Sequence, residues 1–366
     1  MMKTIVYFTL ATLIFTACKK EQIEVQETVT EAAFIANNKG LTDLEVLGKK
    51  IFFDTNLSTP AGKSCASCHA PTTAFTDPNH DAFSLGSTGL RGRRNSPTVA
   101  YLAFEPEMYY NTVDGTWIGG FFVDGRKATL AAQAGAPMLD DREMNNTSPS
   151  EVVNKIKNAG YKNLYEKIYG GFTNDSIDFN RIGLAIQAYE KSKQINTFSS
   201  KYDYFISGKV ELTPQEMRGL NVFANAAKGN CASCHPLEPD AIYNKVLFTD
   251  FSYDNIGVPT NPAQSFGVPD LGLGITKSDP NENGKFKVTT LRNIELTAPY
   301  FHNGFANTLE EVVQFYNKRD SDSKFSTPEV AQNLNRTELG NLKLNDQEVK
   351  DLIVFLKTLT DGFSVR

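Results

Sequence analysis

The pentapeptide CASCH occurs at residues 65–69, in GKSCASCHAP, and again at residues 231–235, in KGNCASCHPL. In both places two thiols stand three positions apart, and a histidine follows the second thiol directly. Two thiols at this spacing can form thioethers to the two vinyl groups of one haem, and the adjacent histidine then ligates the iron. The repeat therefore predicts two covalent haems of the c type. Their attachment and proximal-ligand residues are Cys65, Cys68, His69, Cys231, Cys234 and His235.

Disulfides or zinc would use the same cysteines differently. A local disulfide needs no histidine at the next position, and both motifs have one. Zinc needs thiol and imidazole ligands that converge as a tetrahedron, usually with a spacer between the Cys and His pairs, and the whole chain has four histidines. Haem is the favoured interpretation of both motifs, and zinc is the alternative.

The overall composition is that of an ordinary globular protein. Of 366 residues, 40% are apolar and 22% are charged, which leaves room for two compact domains. A formal net charge of −5 and the absence of basic runs give no reason to expect nucleic acid as a partner.

The N-terminus has the pattern of an export signal. After Met1-Met2-Lys3 comes the apolar stretch TIVYFTLATLIFTA, which is too short to span a bilayer comfortably. It runs into Cys18, and FTAC resembles the cleavage box of bacterial lipoproteins, in which the cysteine is lipidated. We therefore expect a signal over residues 1–17 and an exported protein of the periplasm or cell envelope, held to the membrane through Cys18. Ordinary cleavage with an unmodified Cys18 is the alternative.

Two helices with the same N-terminal device precede the two motifs. LTDLEVLGKKIFFD carries a T-x-x-E capping box at Thr42, and LTPQEMRGLNVFAN carries one at Thr213. A glycine and a phenylalanine follow at matching positions, so the chain contains a weak internal repeat that suggests two related modules. Other helices are predicted over SPSEVVNKIKNAGYKNLYEKIYG, TLEEVVQFY and LNDQEVKDLIVFLKTL, where Asn345 can act as the cap.

These patterns predict a mainly α fold with two cytochrome-c-like haem domains, long loops and little β structure. Residues 18–40 are polar and lack an apolar face, so we expect a flexible tether there. The N-terminal haem domain is predicted over residues 41–205 and the C-terminal haem domain over residues 206–366. Gly- and Pro-rich connections over residues 71–125 and 236–300 are expected to wrap the cofactors.

The sixth ligand of each iron decides between electron transfer and peroxide chemistry. The six methionines all lie before the second motif, so no methionine downstream of Cys231 can ligate the second iron. The two remaining histidines are His80 and His302, and tyrosine becomes a serious candidate ligand.

Seven blocks in order resemble the bacterial di-haem cytochrome c peroxidase superfamily, including its MauG branch. They are LGKKIFFDTNLS, RRNSPTV, FFVDGRKATLAAQAGAP, the pair EM, FKVTTLRNIELTAPYFHNG, TLEEVVQFY and LNDQEVKDLIVFLKTLT, and the resemblance covers about residues 41–360. In that family the first haem is peroxidatic, and a glutamate and a glutamine near its open face assist O–O cleavage. The matching positions here are Glu143 and Gln133. Without the resemblance, Glu143 reads as a solvated loop acid and Gln133 as a polar residue on a helix surface.

The resemblance also implies ligands at the second haem and between the domains. The family's distal ligand there is a methionine, or a tyrosine in the MauG branch, and the matching position is Tyr316. The plainer interpretation is that Tyr316 belongs to a buried helical stripe with Leu309, Val312 and Val313. His302 resembles the family histidine that bonds a haem propionate. A Ca²⁺ ion between the domains is implied at Asn95, Thr297 and Pro299, which match the family's asparagine side chain and two backbone carbonyls.

Three departures from the family pattern bear on function. The loop that often carries a blocking histidine matches FSLGSTG, which has none, and His80 lies upstream in DPNHDAF, so the first haem is expected to be open at rest. The tryptophan usually placed between the haems is Val123, and the one tryptophan of the chain is Trp117. The position of a surface tryptophan in the MauG branch is Gly229. The last two departures weaken the case for long-range oxidation of a partner protein.

The sequence therefore predicts an exported di-haem peroxidase that reduces H₂O₂ to water. Its electrons would come from a small donor protein, such as a monohaem cytochrome or a cupredoxin, and a homodimer is left open. The alternatives are a MauG-like oxidase that modifies a partner protein, suggested by Tyr316, and a di-haem electron carrier without catalysis.

Overall fold

The computed structural model describes residues 30–263, 266–325 and 327–364. Helices dominate, as the sequence predicts. Those in the first half are α1 (Glu31–Ala36), α2 (Asp43–Phe52), α3 (Leu130–Leu139), α4 (Pro149–Lys157), α5 (Lys162–Tyr169) and α6 (Asp175–Glu190). Those in the second half are α7 (Lys201–Ile206), α8 (Pro214–Ala224), α9 (Leu273–Lys277), α10 (Leu309–Lys318) and α11 (Asp346–Lys357).

The β structure in the described residues is limited to two small antiparallel pairs. Strand β1 (Tyr109–Asn111) pairs with β2 (Thr116–Ile118), and β3 (Tyr253–Asp254) pairs with β4 (Phe286–Lys287). Across the same described ranges, no helix is both long enough and apolar enough to cross a membrane.

The predicted capping devices are present at the helices that lead into the two motifs. Thr42 at the start of α2 and Thr213 at the start of α8 each form a reciprocal capping box with a glutamate three positions on. Asn345 caps α11 in the same way. These caps satisfy backbone N–H groups that the first helical turn leaves without partners.

The glycine of the internal repeat allows each of these helices to cross a partner closely. Helix α2 packs on α6, and a Cβ atom added at Gly48 would lie 1.8 Å from the carbonyl oxygen of Ala185. Helix α8 packs on α11, and a Cβ atom added at Gly219 would lie 2.0 Å from the carbonyl oxygen of Asp351. Any side chain larger than hydrogen would push the helices apart, so the repeat encodes two equivalent helix crossings.

Two apolar cores form around these crossings. The first takes its buried residues from Leu47 to Ile195, and the second takes its own from Tyr202 to Leu359. Tyr202 lies in α7, which therefore packs with the second half. The change from one core to the other falls a few residues before the predicted domain boundary at residues 205 and 206.

Packed structure begins earlier than the predicted tether end at residue 40. Thr30 caps α1, and Phe34 in α1 packs on Phe53 and Phe75 of the first core. The Lys49 ammonium also donates to the carbonyl oxygens of Phe34 and Asn37, at 2.6 and 2.7 Å. One aromatic side chain and two backbone carbonyl groups therefore dock a segment that lacks an amphipathic pattern. The predicted signal and Cys18 lie outside the described residues.

Long connections close the space between the two cores and join them through charged contacts. Arg94 forms a two-pronged ion pair with Asp270, at 2.6 and 2.9 Å, and also contacts Asp124 at 2.7 Å. The Asn95 N–H donates to the carbonyl oxygen of His302 at 2.7 Å. These contacts link the segment after the first motif to the segments that precede α10.

Candidate functional site

Both CASCH motifs open into one cavity of about 970 Å³. The first motif forms a short 3-10 helix over Cys65–Ser67 and the second forms one over Cys231–Ser233. In this conformation the N–H of each motif histidine donates to the carbonyl oxygen of the first cysteine, at 2.9 Å in both cases. The four motif thiols are free and lie on the cavity wall.

The two motif histidines are held in the tautomer that a metal requires. The Nδ1–H of His69 donates to the carbonyl oxygen of Phe75 at 3.1 Å, and that of His235 donates to Phe248 at 2.7 Å. Because Nδ1 carries the proton, Nε2 is left with its lone pair for an iron ligand bond. Burial lowers the pKa of both imidazoles, which favours the neutral form. Free thiol pairs, neutral imidazoles and a large shared cavity fit two covalently attached haems.

Glu143 and Gln133 reach the same cavity from α3 and the turn that follows it. Thr129 caps α3 and sets its first turn, which brings Gln133 to the wall. Glu143 is fixed by its backbone, since its N–H donates to Asp140 at 3.1 Å and its carbonyl accepts from Ser87 at 2.8 Å. Gly86 permits this contact, because a Cβ atom there would lie 2.0 Å from the carbonyl oxygen of Arg142.

Two polar side chains on this wall are perturbed by burial. Burial is the main reason that the pKa of Glu143 is raised to about 7; Asp140 adds to the rise and Arg126 opposes it. The buried Oε1 atom of Gln133 has no hydrogen-bond partner within the protein. A polar atom left without a partner on a cavity wall is suited to a ligand in the cavity. The site therefore holds one carboxyl group near neutral pKa and one free amide acceptor.

Tyr316 reaches the cavity near the second motif. It lies in α10, packs against Phe301 and Phe315, and lines the cavity. Burial is the main reason that the pKa of its phenol is raised, and Cys234 and Cys231 contribute to the rise. Tyr316 thus belongs both to the apolar stripe of α10 and to the wall that faces the second motif.

The remaining predicted residues lie on or near the same wall. His302 stacks on Phe286 with ring centroids 3.9 Å apart, and its Nε2–H donates to Glu329 at 3.0 Å. Asn95, Thr297 and Pro299 all line the cavity. Among the described residues, no group of three or more His, Cys, Asp or Glu side chains could hold a metal ion. The predicted calcium ligands are an amide and two carbonyls, so they lie outside that set.

His80 and Trp117 are placed away from the described lining of the cavity. His80 donates from Nδ1 to the carbonyl oxygen of Ala298 at 2.9 Å. Trp117 packs edge-on against Tyr110, and the Lys277 ammonium lies 3.2 Å from the centroid of its ring. Val123 does line the cavity, so Trp117 does not substitute for the missing aromatic at that position.

Gly229 cannot carry a large side chain in this backbone. A Cβ atom there would lie 2.4 Å from the carbonyl oxygen of Val222. The position of the surface tryptophan in the MauG branch is therefore closed in this chain by the turn that enters the second motif.

Lys287, Glu105 and Glu190 are among the buried titratable residues on the cavity wall that the sequence did not predict. Lys287 and Glu105 form a buried ion pair, and the Lys287 ammonium also donates to the carbonyl oxygens of Gly120 and Phe122, at 2.5 and 2.9 Å. Glu190 is 3% exposed, and burial raises its pKa to about 8. Glu190 was detectable, because it falls at i+8 from Ile182 on the buried face of α6. Lys287 in β4 and Glu105 are far apart in the sequence, so no local pattern links them.

Comparison with known proteins gives concordant results. A family model described as di-haem cytochrome c peroxidase matches residues 42–211. The chain is 36% identical to the methylamine utilization protein MauG of Paracoccus denitrificans, over 87% of this chain and 88% of that protein. It is 31% identical to a cytochrome c551 peroxidase of Nitrosomonas europaea, over 87% of this chain and 80% of that protein.

Solved structures show the same likeness in three dimensions. The diheme peroxidase BthA of Burkholderia thailandensis superposes with a TM-score of 0.78 at 35% identity, over 87% of this chain and 86% of that chain. A MauG-like protein associated with microbial copper homeostasis superposes with a TM-score of 0.70 at 30% identity, over 87% of this chain and 89% of that chain.

Proposed function

The chain belongs to the family of di-haem cytochrome c peroxidases, and from that premise we propose that it reduces hydrogen peroxide to water with electrons from a small redox protein. It is an oxidoreductase with two c-type haems, attached at the two CASCH motifs. When bound, the haems supply redox iron, at which peroxide is reduced and electrons are passed on.

The observation that carries the proposal is the pairing of Glu143 with Gln133 on the wall shared with the first motif. A Glu143 carboxylate oxygen takes a proton from one peroxide oxygen and returns it to the other, which leaves as water. A pKa near 7 suits this task, because the group can both accept and release a proton at neutral pH. The free Oε1 of Gln133 accepts a hydrogen bond from the peroxide O–H and orients it.

A stopped-flow experiment tests the proposal directly. The holoprotein is mixed with H₂O₂ and a pre-reduced monohaem cytochrome c, and oxidation of the donor is followed by its α-band. We expect donor oxidation only when peroxide is present. A parallel run with a reduced cupredoxin asks which class of donor is preferred. No peroxide-dependent oxidation of either donor would contradict the proposal.

The second motif serves electron entry in this proposal, with Tyr316 as the sixth ligand. Support comes from the position of Tyr316 on the wall of the cavity that Cys231 and Cys234 also line. A tyrosinate ligand would stabilise ferric iron relative to a methionine ligand. In this proposal the N-terminal domain, residues 41–205, is peroxidatic. The C-terminal domain, residues 206–366, transfers electrons.

A second candidate function is MauG-like oxidation of a residue in a partner protein. Tyr316 favours it, together with the 36% identity to MauG. Gly229 and Val123 argue against MauG-like oxidation, because neither position has the aromatic side chain that long-range oxidation would use. If Tyr316→Phe leaves the spectrum of the second haem unchanged, this candidate loses its main support.

We further propose a Ca²⁺ ion held by the Asn95 side chain and the carbonyls of Thr297 and Pro299. Asn95 comes from the first half and the other two from the second, and oxygen donors suit a hard cation. Treatment with a chelator is expected to slow electron transfer between the halves. We also propose that the protein is exported to the periplasm or cell envelope and anchored through a lipid on Cys18, which mass spectrometry of the mature N-terminus would detect.

A further inference from the structure

A second, smaller cavity of about 270 Å³ adjoins Glu143. Its described lining consists of Phe122, Arg126, Lys127, Ala136, Pro137, Asp140 and Glu143. Five of these seven residues also line the large cavity, the exceptions being Lys127 and Ala136. The two cavities therefore share a wall that includes the carboxyl group that handles the proton in the proposed reaction.

The small cavity is lined both by that carboxyl group and by side chains that are exposed at the surface. Arg126 and Asp140 are exposed at the protein surface, and Glu143 is not. Both CASCH motifs open into the large cavity, so attached haems occupy that space. The small cavity contains no attachment residue and remains available as a passage.

The rim of the small cavity is built to hold its shape. The Arg126 guanidinium lies 3.5 Å from the centroid of the Phe122 ring and donates to Asp124 at 2.8 Å. Asp124 is itself buried and bound to Arg94. The backbone groups of Phe121 and Lys127 pair with each other at 2.8 and 3.3 Å, which closes the loop that carries Arg126. The cation at the rim is therefore fixed in position.

The charges around the passage favour entry of an anion or a small polar molecule. Arg126 and Lys127 line it with two positive charges, and Asp140 supplies one negative charge near Glu143. Asp124 contacts Arg126, but that carboxylate is shared with Arg94. A fixed guanidinium at the rim attracts anions and raises their local concentration. It also lowers the pKa of Glu143 against the effect of burial.

We propose that this small cavity is the route by which peroxide reaches Glu143, and that Arg126 determines which molecules enter it. The inference rests on the proposed peroxidase function and deepens it. The substrate class is small peroxides, which are neutral at pH 7 and enter by their size, while the charge of Arg126 favours small anions over other neutral molecules of the same size.

Ligand binding to ferric iron measures the route without turnover. Azide is an anion at neutral pH and hydrogen cyanide is neutral, so the two form a matched pair of small ligands. In the ferric holoprotein, Ala136→Phe fills the passage, and we expect it to slow association of both ligands at the first haem by about tenfold. Ala132→Phe is the control, because Ala132 is exposed one turn earlier on the same helix.

The possible results of this experiment test the entry route separately from the peroxidase function. If Ala136→Phe and Ala132→Phe bind azide at the same rate as the unchanged protein, the route is wrong while the peroxidase proposal stands. If the unchanged holoprotein binds neither ligand, the open first haem is wrong, and the route fails with it. Ala136→Leu, a smaller change, provides the same comparison should the phenylalanine variant fail to take up haem.

Arg126→Gln tests the charge preference separately. We expect azide association to slow about threefold to tenfold while hydrogen cyanide association stays within a factor of about two, and we expect the azide rate of the unchanged protein to fall as salt is raised. Lys162→Gln removes an equal charge at an exposed site on α5 and controls for net charge. Equal effects of Arg126→Gln on both ligands, or none, would overturn the role of Arg126.

Discussion

The two CASCH sites are built alike and face different chemistry. Each follows a capped helix, each histidine donates its backbone N–H at 2.9 Å to the first cysteine, and each imidazole is fixed through Nδ1 on a phenylalanine carbonyl. Gln133, Glu143 and Tyr316 line the cavity that both sites share, and we propose that the first two serve the first site and Tyr316 the second. The motif therefore sets attachment and proximal ligation, while residues distant in sequence set what each iron can do.

Removing the carboxyl group of Glu143 should have the largest effect on the peroxide chemistry that distinguishes the first site from the second. Glu143→Gln keeps the size of the side chain but cannot carry the proton between the peroxide oxygens. We expect peroxide-dependent donor oxidation to fall by about 10²-fold to 10⁴-fold, the usual contribution of a general acid–base group. Asp141→Asn, at an exposed neighbour, should leave the rate unchanged.

The pH dependence sharpens the same prediction. Burial raises the pKa of Glu143 to about 7, and the step begins with the ionised form. The rate should therefore rise with pH through about 7 and level off above it. The residual rate of Glu143→Gln should lack this inflection. An unchanged inflection in the variant would assign the titration to another group.

The shared architecture can be tested by substituting the repeat glycine in each half. Gly48→Ala and Gly219→Ala both place a methyl group within about 2 Å of a carbonyl oxygen on the crossing helix. The gain in helix propensity is about 1 kcal/mol, and the overpacking cost is larger, so each holoprotein should be destabilised by about 2 kcal/mol or more. Thermal unfolding measures both. Gly160→Ala, where a Cβ atom would meet nothing within 4 Å, is the control.

Gly48 and Gly219 belong to the internal repeat, which is the part of the fold that the sequence alone predicted best. The repeat of cap, glycine, phenylalanine and CASCH predicted two equivalent helix-and-motif modules, and Thr42 and Thr213 cap as expected. The helical patterns of α10 and α11 were also predicted correctly. The docking of α1 through Phe34 was not, because one aromatic contact produces no periodic signal.

The site was predictable only where a motif or the family pattern marked it. Haem attachment followed from residue spacing, whereas Glu143, Gln133 and Tyr316 required the resemblance. The Lys287–Glu105 ion pair joins residues 182 positions apart, so no local pattern could reveal it. The passage beside Arg126 likewise depends on how the loop before α3 packs against the turn after it.

Glu190 offers a smaller test that concerns the first half of the molecule. Burial raises its pKa to about 8, while the same group titrates near 4.5 when unfolded. The folded form therefore keeps a proton that the unfolded form releases, and stability should fall as pH rises between these two values. Each unit in this window costs up to about 1.4 kcal/mol.

The variant Glu190→Gln has no proton to lose, so its stability should change less between pH 5 and pH 8. The measurement is denaturant unfolding of the holoprotein at both pH values. Glu107→Gln, at an exposed position, should keep the full pH dependence. Parallel curves for Glu190→Gln and the unchanged protein would show that Glu190 is already ionised in the folded state.

Tyr316→Phe should have the smallest effect on peroxide chemistry and a clear effect on the second iron. In the proposed division Tyr316 serves the second haem and not the proton transfer at Glu143, so the peroxide reaction of the fully reduced enzyme should stay within a factor of about two. The EPR signal of the second ferric haem should change, because its sixth ligand is lost. Tyr300→Phe, a buried tyrosine whose hydroxyl is bound to Ile294, is the control. A change in the EPR signal of the first haem instead would assign Tyr316 to the first site. The second motif would then be the peroxidatic site and the first motif the electron-transfer site.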